Sequence, residues 1–202
     1  MFIVTGSAEK GVPCLSAHRR TLMGNNLTAR VVERLCEAAF VFLSIENDID
    51  GMKTMVNKVV CRQGDASDLP GVQQLLRESD LPYADVVTSG AVFLLATYEE
   101  EMIGCIGLEG QGPNRLLRSF AVKQNFRNTG IGKVLIDELK KRAFDDGVVY
   151  LHLLTTTAEK YFAREGFVAA SRDEAPDEIK RNAEFAGLCP ASSTYMYTHL
   201  RQ

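Results

Sequence analysis

Phe120-Ala121-Val122-Lys123-Gln124-Asn125-Phe126-Arg127-Asn128-Thr129-Gly130-Ile131-Gly132 decides how the rest of this chain is read. Its apolar start closes a strand predicted over Leu116 to Val122. Its end, Arg-x-x-Gly-x-Gly, opens a helix predicted over Lys133 to Phe144, with Val134, Leu135, Leu139 and Ala143 on one face and Asp137, Lys140 and Lys141 on the other. Glycines at such a junction let a ligand approach the backbone, and first-turn amides have no intrahelical acceptor. A helix N-terminus also carries roughly half a positive charge, to which Arg127 adds a full one. The segment reads as a cradle for an anion such as a pyrophosphate. Taken alone, a glycine-rich turn that serves only chain geometry fits as well.

Downstream, Val148 to Leu154 is a strand, Thr157 to Glu165 a helix closed by Gly166, and Phe167 to Ala170 a strand. Ala175-Pro176-Asp177-Glu178 opens a further helix that stops at Gly187, and Thr194 to Leu200 is the last strand. Upstream, Ala91 to Thr97 and Met102 to Leu108 form a hairpin across an acidic tip, and Gly110 to Asn114 turns a second one. Val59 to Gln63 is a short strand, followed by a helix to Glu78 with Asp65 or Ser67 as cap and Pro70 in its first turn. The sum is a mixed α/β sheet of six or seven strands.

Composition bounds the function. Of 202 residues, 46% are hydrophobic and 24% charged, as in a globular domain, and the formal charge of −3 argues against a general surface for nucleic acid or anionic membrane. Any anion site is therefore local. Five scattered cysteines with no C-x-x-C and no nearby histidine pair give neither a disulfide framework nor a metal site. The N-terminus lacks a basic, apolar leader, and the longest apolar run, Ala38 to Ile45, falls short of the ~18 residues that span a bilayer. The expectation is a cytoplasmic protein without membrane or nucleic-acid partner, with a homodimer as the default assembly. Gly6 to Gly11 has phosphate-loop spacing, but Val12-Pro13 stands where Lys and Ser/Thr are needed. Of the three histidines only His152, on an apolar strand, stays in view.

With its surroundings, the opening stretch resembles the GNAT superfamily of acetyl-CoA-dependent N-acetyltransferases. Phe120-Ala121-Val122 and Arg127-x-x-Gly130-x-Gly132 are followed in order by the strand Leu151–Thr155, the helix Ala158–Arg164 and Gly166-Phe167, so the resemblance covers roughly residues 58–200. A closer resemblance is to a branch associated with arsenic resistance and allied to amino-acid N-acetyltransferases. It is carried by Ser67-Asp68-Leu69-Pro70, Leu116-Leu117-Arg118-Ser119, Leu153 to Glu159 and Ala183 to Ser192.

This resemblance implies a GNAT-like, mostly antiparallel sheet flanked by helices over residues 58–202, with residues 1–57 as an N-terminal extension. Within the extension, Thr28 to Leu43 reads as one amphipathic helix, and the segment is either a family-specific addition or an over-long reading frame. The implied activity is acetyl transfer from acetyl-CoA to the amine of a small molecule, an amino acid or amino-acid-like toxic compound, by direct attack in a ternary complex. The backbone amides of Arg127, Asn128, Thr129, Gly130, Ile131, Gly132 and Lys133 would hold the pyrophosphate. Main-chain groups of Phe120, Ala121 and Val122 would pair with the pantetheine arm, an amide near Ala121 or Val122 facing the thioester oxygen. Many members place a tyrosine where this chain has Phe162, so neighbouring Tyr161, a helical step of about 100° away, enters as a catalytic candidate only with that displacement. Glu109 is the candidate base. Arg118, taken to share a strand face with Phe120, could clamp a substrate carboxylate or lie on the surface. Thr155 and Thr157 are candidate polar contacts, with Thr156 and Glu159 as a capping box. Cys189 reads as an ordinary buried thiol unless the acceptor carries arsenic. A peptide or protein acetyltransferase and a non-catalytic acyl-CoA sensor are the rival readings.

Overall fold

The computed structural model describes residues 56–201; the expected helix over 28–43 and most of the expected extension lie outside them. Seven strands form one sheet: β1 (Val60–Gln63), β2 (Val92–Tyr98), β3 (Glu101–Glu109), β4 (Asn114–Val122), β5 (Tyr150–Thr155), β6 (Val168–Ala170) and β7 (Thr194–His199), in the order β1-β2-β3-β4-β5-β7-β6. Every neighbouring pair is antiparallel except β4 with β5. The helices are α1 (Leu69–Glu78), α2 (Ile131–Asp145), α3 (Glu159–Arg164) and α4 (Asp177–Lys180).

The apolar alternation of the strands feeds two faces. On one, α2 and α3 lay Ile131, Leu135, Ile136, Leu139 and Phe162 onto Leu94, Leu117, Leu153 and Met196. On the other, α1 packs Val72, Leu75 and Leu76 over Phe93, Leu95, Cys105 and Ala121, while α4 and the turn after it pack Ile179 and Phe185 over Leu116 and Tyr195. Full burial of each such side chain contributes about 1.5–3 kcal/mol.

Local chemistry explains most of the boundaries. Asp65 caps a tight 3-10 turn over Ala66–Asp68, its side chain accepting from the Ser67 amide, and Pro70 stands in the first turn of α1. Helix α2 starts two residues earlier than expected because Gly130, at φ 96°, is its N-cap. The expected helix ending at Gly187 is corrected. Only Asp177–Lys180 is α-helical, and the chain then makes a wide π turn over Glu184–Leu188.

One irregularity in β4 positions the site. The register runs Cys105↔Ala121 and then Gly107↔Arg118, so Ser119 and Phe120 together oppose Ile106. Ser119 is the bulge residue, at φ 51°. An extra residue resets the alternation of a strand, and here Leu117, Phe120 and Val122 face the α2 side whereas Leu116 and Ala121 face the other.

Candidate functional site

Strands β4 and β5 pair only through Asn114↔Tyr150, Arg115↔Leu151 and Leu116↔His152. Beyond that point β4 continues to Val122 and β5 to Thr155 with no ladder between them, which opens a wedge-shaped cleft in the sheet. The Lys123 amide donates to the Ile103 carbonyl. Backbone groups alternate along a strand, so Ala121 turns its polar groups toward β3 while Phe120 and Val122 turn theirs toward the cleft. The expected role of Ala121 in pairing with a ligand arm is corrected accordingly.

At the wide end of the cleft lies the predicted cradle. Asn128 at φ 63° and Gly130 at φ 96° curl the chain over the start of α2, and Thr129 Oγ1 donates to the Phe126 carbonyl at 2.6 Å. Among the described residues, the amides from Asn128 to Lys133 find no acceptor in the chain, and the helix ladder begins with Val134 to Gly130. Six consecutive free donors at a helix N-terminus make an anion site. Two members of the expected set act differently. The Arg127 amide donates to Gln124 O, and its side chain ties the loop down, Nε to Val122 O at 2.9 Å and Nη2 to Ser79 Oγ at 3.3 Å. The Lys133 ammonium pairs with Asp137 and Glu165, leaving only its amide to the cradle.

Tyr161 closes the opposite wall. Its ring stacks on Phe120 with centroids 5.9 Å apart, and a Cβ added at Gly132 would stand 2.8 Å from its hydroxyl oxygen. Among the described residues that hydroxyl is buried without a partner, and burial, with Glu165 and Asp137 adding to it, pushes its pKa up to about 12. It is a neutral O–H donor at any physiological pH. Phe162 points into the core instead, tilted against Phe120 and Phe167, so the helical offset that separates the two residues leaves Tyr161 at the cleft.

The remaining candidates are distributed differently from expectation. Thr155 Oγ1 accepts from the Ala158 amide at 3.0 Å and so closes the turn that leads into α3, whose N-cap, Ala158, carries no side-chain cap; the expected box between Thr156 and Glu159 is corrected. Glu159 instead accepts from Thr194 Oγ1. Thr157 is exposed. His152 is buried between Tyr195 OH (2.7 Å) and Asn114 Oδ1 (3.1 Å), and burial lowers its pKa to about 4. It is a neutral structural link.

Arg118 does not share a face with Phe120, because the bulge lies between them. Its side chain is 0% exposed. Nη1 meets Glu109 at 2.5 Å, Nη2 meets Asp85 at 2.6 Å and Glu184 at 2.9 Å, and Nε reaches Ser119 Oγ at 3.3 Å. Every nitrogen of the guanidinium is engaged, which leaves no fork for a substrate carboxylate. Glu109, the expected base, is one of its ligands. Glu184, 8% exposed on its side chain, has its pKa pushed up to about 7, burial outweighing Arg118 while Asp85 and Glu109 add to the rise. Asp85 and Glu184 escaped the sequence reading, although each is a lone acid in an apolar run, Ala84-Asp85-Val86-Val87 and Ala183-Glu184-Phe185-Ala186.

The sheet thus opens between two parallel strands, with a glycine-capped helix N-terminus at the opening. Residues 89–169 match the family model of the acetyltransferase (GNAT) domain. The chain is 30% identical over 91 residues to an uncharacterized N-acetyltransferase of Chlorobaculum tepidum, an alignment covering 45% of this chain and 58% of that protein. It is 28% identical over 151 residues to an amino-acid acetyltransferase of Ralstonia nicotianae, covering 65% and 32%. The chain thus spans between a third and three-fifths of the length of these relatives. Among solved structures, Rv2747 of Mycobacterium tuberculosis in complex with CoA is similar at TM-score 0.61 and 23% identity, over 70% of this chain and 99% of that one. N-acetylglutamate synthase of Neisseria gonorrhoeae, complexed with coenzyme A and L-arginine, is similar at TM-score 0.58 and 22% identity, over 71% and 34%.

Proposed function

We propose that the protein transfers the acetyl group of acetyl-CoA to the amine of a small molecule, an amino acid or amino-acid-like compound, by direct attack in a ternary complex. The observation that carries this reading is the run of unpartnered amides from Asn128 to Lys133 at the mouth of the cleft between β4 and β5. It fits a diphosphate, and the cleft beside it offers strand-like pairing to an amide-bearing arm through Phe120 and Val122. The amino-acid acetyltransferases among its relatives support the acceptor class.

Acetyl-CoA, when bound, supplies a thioester carbonyl and a thiol leaving group. The rest falls to the chain. The amides turned toward the cleft after the bulge are fixed donors for the carbonyl oxygen as charge develops on it, an arrangement that typically contributes about 10²–10³ in rate. Tyr161 holds a proton on a hydroxyl with no other partner among the described residues, facing the same cleft, and is the donor for the departing sulfur. An α-amino group with pKa near ~8 is partly neutral at physiological pH, so solvent suffices as base and Glu109 is left to Arg118. Among amino-acid-like acceptors, the arsenic-associated resemblance points to toxic glutamate analogues. Cys189 adds nothing to that choice, since burial, with Glu184 adding to it, pushes its thiol up to about 11 and keeps it protonated.

The test is thiol release from acetyl-CoA by the purified protein against amino acids, arsenical and phosphinic glutamate analogues, polyamines, aminoglycosides and short peptides. Release with an amino-acid-like acceptor is expected. Silence across the panel, with acetyl-CoA still bound, would overturn the catalytic reading in favour of a sensor.

A further inference from the structure

Ser119 is a non-glycine residue held at φ 51° inside a strand, a conformation that persists only where the surroundings over-determine it. Two side chains do so. Arg118 Nε donates to Ser119 Oγ at 3.3 Å, and the buried Cys105 thiol donates to the Ser119 carbonyl at 3.4 Å. Arg118 is fixed in turn by carboxylates from three separate segments: Asp85 in the loop between α1 and β2, Glu109 at the end of β3, and Glu184 in the π turn. One carboxylate would balance the charge. Three of them, on Nη1 and Nη2, leave the planar guanidinium no freedom to rotate, which a point-charge ammonium could not reproduce. The cluster lies where the apolar patch under α1 meets the patch under α4, between Leu116 and Ala121 of β4. It therefore ties the bulge to both helical layers on that face of the sheet.

We propose that Arg118 is the positioning residue of the transfer site: clamped by Asp85, Glu109 and Glu184, it fixes Ser119 and thereby aims the cleft-facing groups of Phe120 and Val122. The kinetic consequences rest on the acetyl-transfer reading, and the structural consequence does not. Every nitrogen of Arg118 is already engaged by the protein, so its loss is expected to act on the step in which charge develops rather than on ground-state binding.

The experiment compares wild type with Arg118→Lys and Ser119→Ala. Steady-state kinetics are measured on the acceptor panel, acetyl-CoA affinity is measured directly, and hydrogen exchange is followed at the amides of residues 119–122. For Arg118→Lys we expect kcat at least tenfold lower with every acceptor alike, acceptor KM and acetyl-CoA Kd within threefold of wild type, and exchange at least tenfold faster. Ser119→Ala, which deletes a single contact and serves if Arg118→Lys does not fold, should show the same pattern at about a third of wild-type kcat. A rise in KM confined to carboxylate-bearing acceptors, with kcat kept, would make Arg118 a substrate ligand and overturn the proposal. Wild-type kcat and wild-type exchange in the variants would overturn it too, leaving the bulge to its pairing with β3. If wild type acetylates nothing, the functional reading fails alone, and the exchange comparison still decides the positioning role.

Discussion

The cradle and the arginine cluster flank the same strand and are made from opposite materials. The cradle uses backbone amides from six neighbouring residues, Asn128 to Lys133, and leaves them unpaired. The cluster uses side chains from residues 85, 109, 118 and 184 and saturates its cation. A site that must receive a charged ligand keeps its donors free, whereas a site that must hold still satisfies every one of them.

The sharpest way to break the cradle is Gly130→Glu. The position has φ 96°, and a Cβ added there would meet nothing within 4 Å, so the cost is backbone strain together with negative charge in the anion site. Acetyl-CoA affinity measured by calorimetry should fall on the order of a thousandfold, about 4 kcal/mol, with the arginine cluster intact.

Glu184→Gln tests the cluster through pH. The folded-state pKa of Glu184 is raised from 4.5 to about 7, so between those values the folded protein holds a proton that the unfolded chain has lost, and stability declines as pH rises through that window. Gln removes the decline. The stability of the variant relative to wild type, from urea melts, should therefore improve by about 3 kcal/mol between about pH 4.5 and pH 8.

Tyr161→Phe separates activity from stability within the cleft. Loss of the proposed proton donor should lower kcat about tenfold with acetyl-CoA affinity unchanged, while removal of a buried hydroxyl that has no partner among the described residues should raise stability by about 1 kcal/mol. The smallest expected effect is Thr155→Ala. It deletes the side-chain acceptor for the Ala158 amide and should cost about 1 kcal/mol in thermal or chemical melts, with little change in kcat.

The same contrast explains what the sequence disclosed. The strand, the Arg-x-x-Gly-x-Gly turn and the amphipathic helix are contiguous, and their order was enough to put that turn at the start of α2 within a mixed sheet flanked by helices. Tyr161 was displaced on the helical wheel from the expected place, yet α3 packs with Phe162 inward and Tyr161 at the cleft. The role given to Arg118 failed for two reasons of distance. Its partners at 85 and 184 meet it only after the chain has folded, and a serine carries no local sign that it will adopt a left-handed conformation. The helix expected to reach Gly187 shortened because a buried acid, Glu184, is drawn to Arg118 in the stretch where regular winding was expected. Helical propensity yielded to an ion pair formed across the molecule.

The bulge at Ser119 also acts as a phase dislocation, much as an extra half-plane does in a crystal lattice. Upstream of it β4 is in register with one two-residue rhythm, downstream with the other, and the two halves bury different side chains on the same helix layer. Straightening the strand with Ser119 kept in the alternation would send Phe120 and Val122 to the layer of α1 and Ala121 to that of α2, whereas removing Ser119 would restore the plain alternation and leave all three on their present faces. What sets the face that each residue downstream buries is therefore that Ser119 stays out of the alternation, held there by Arg118 and Cys105.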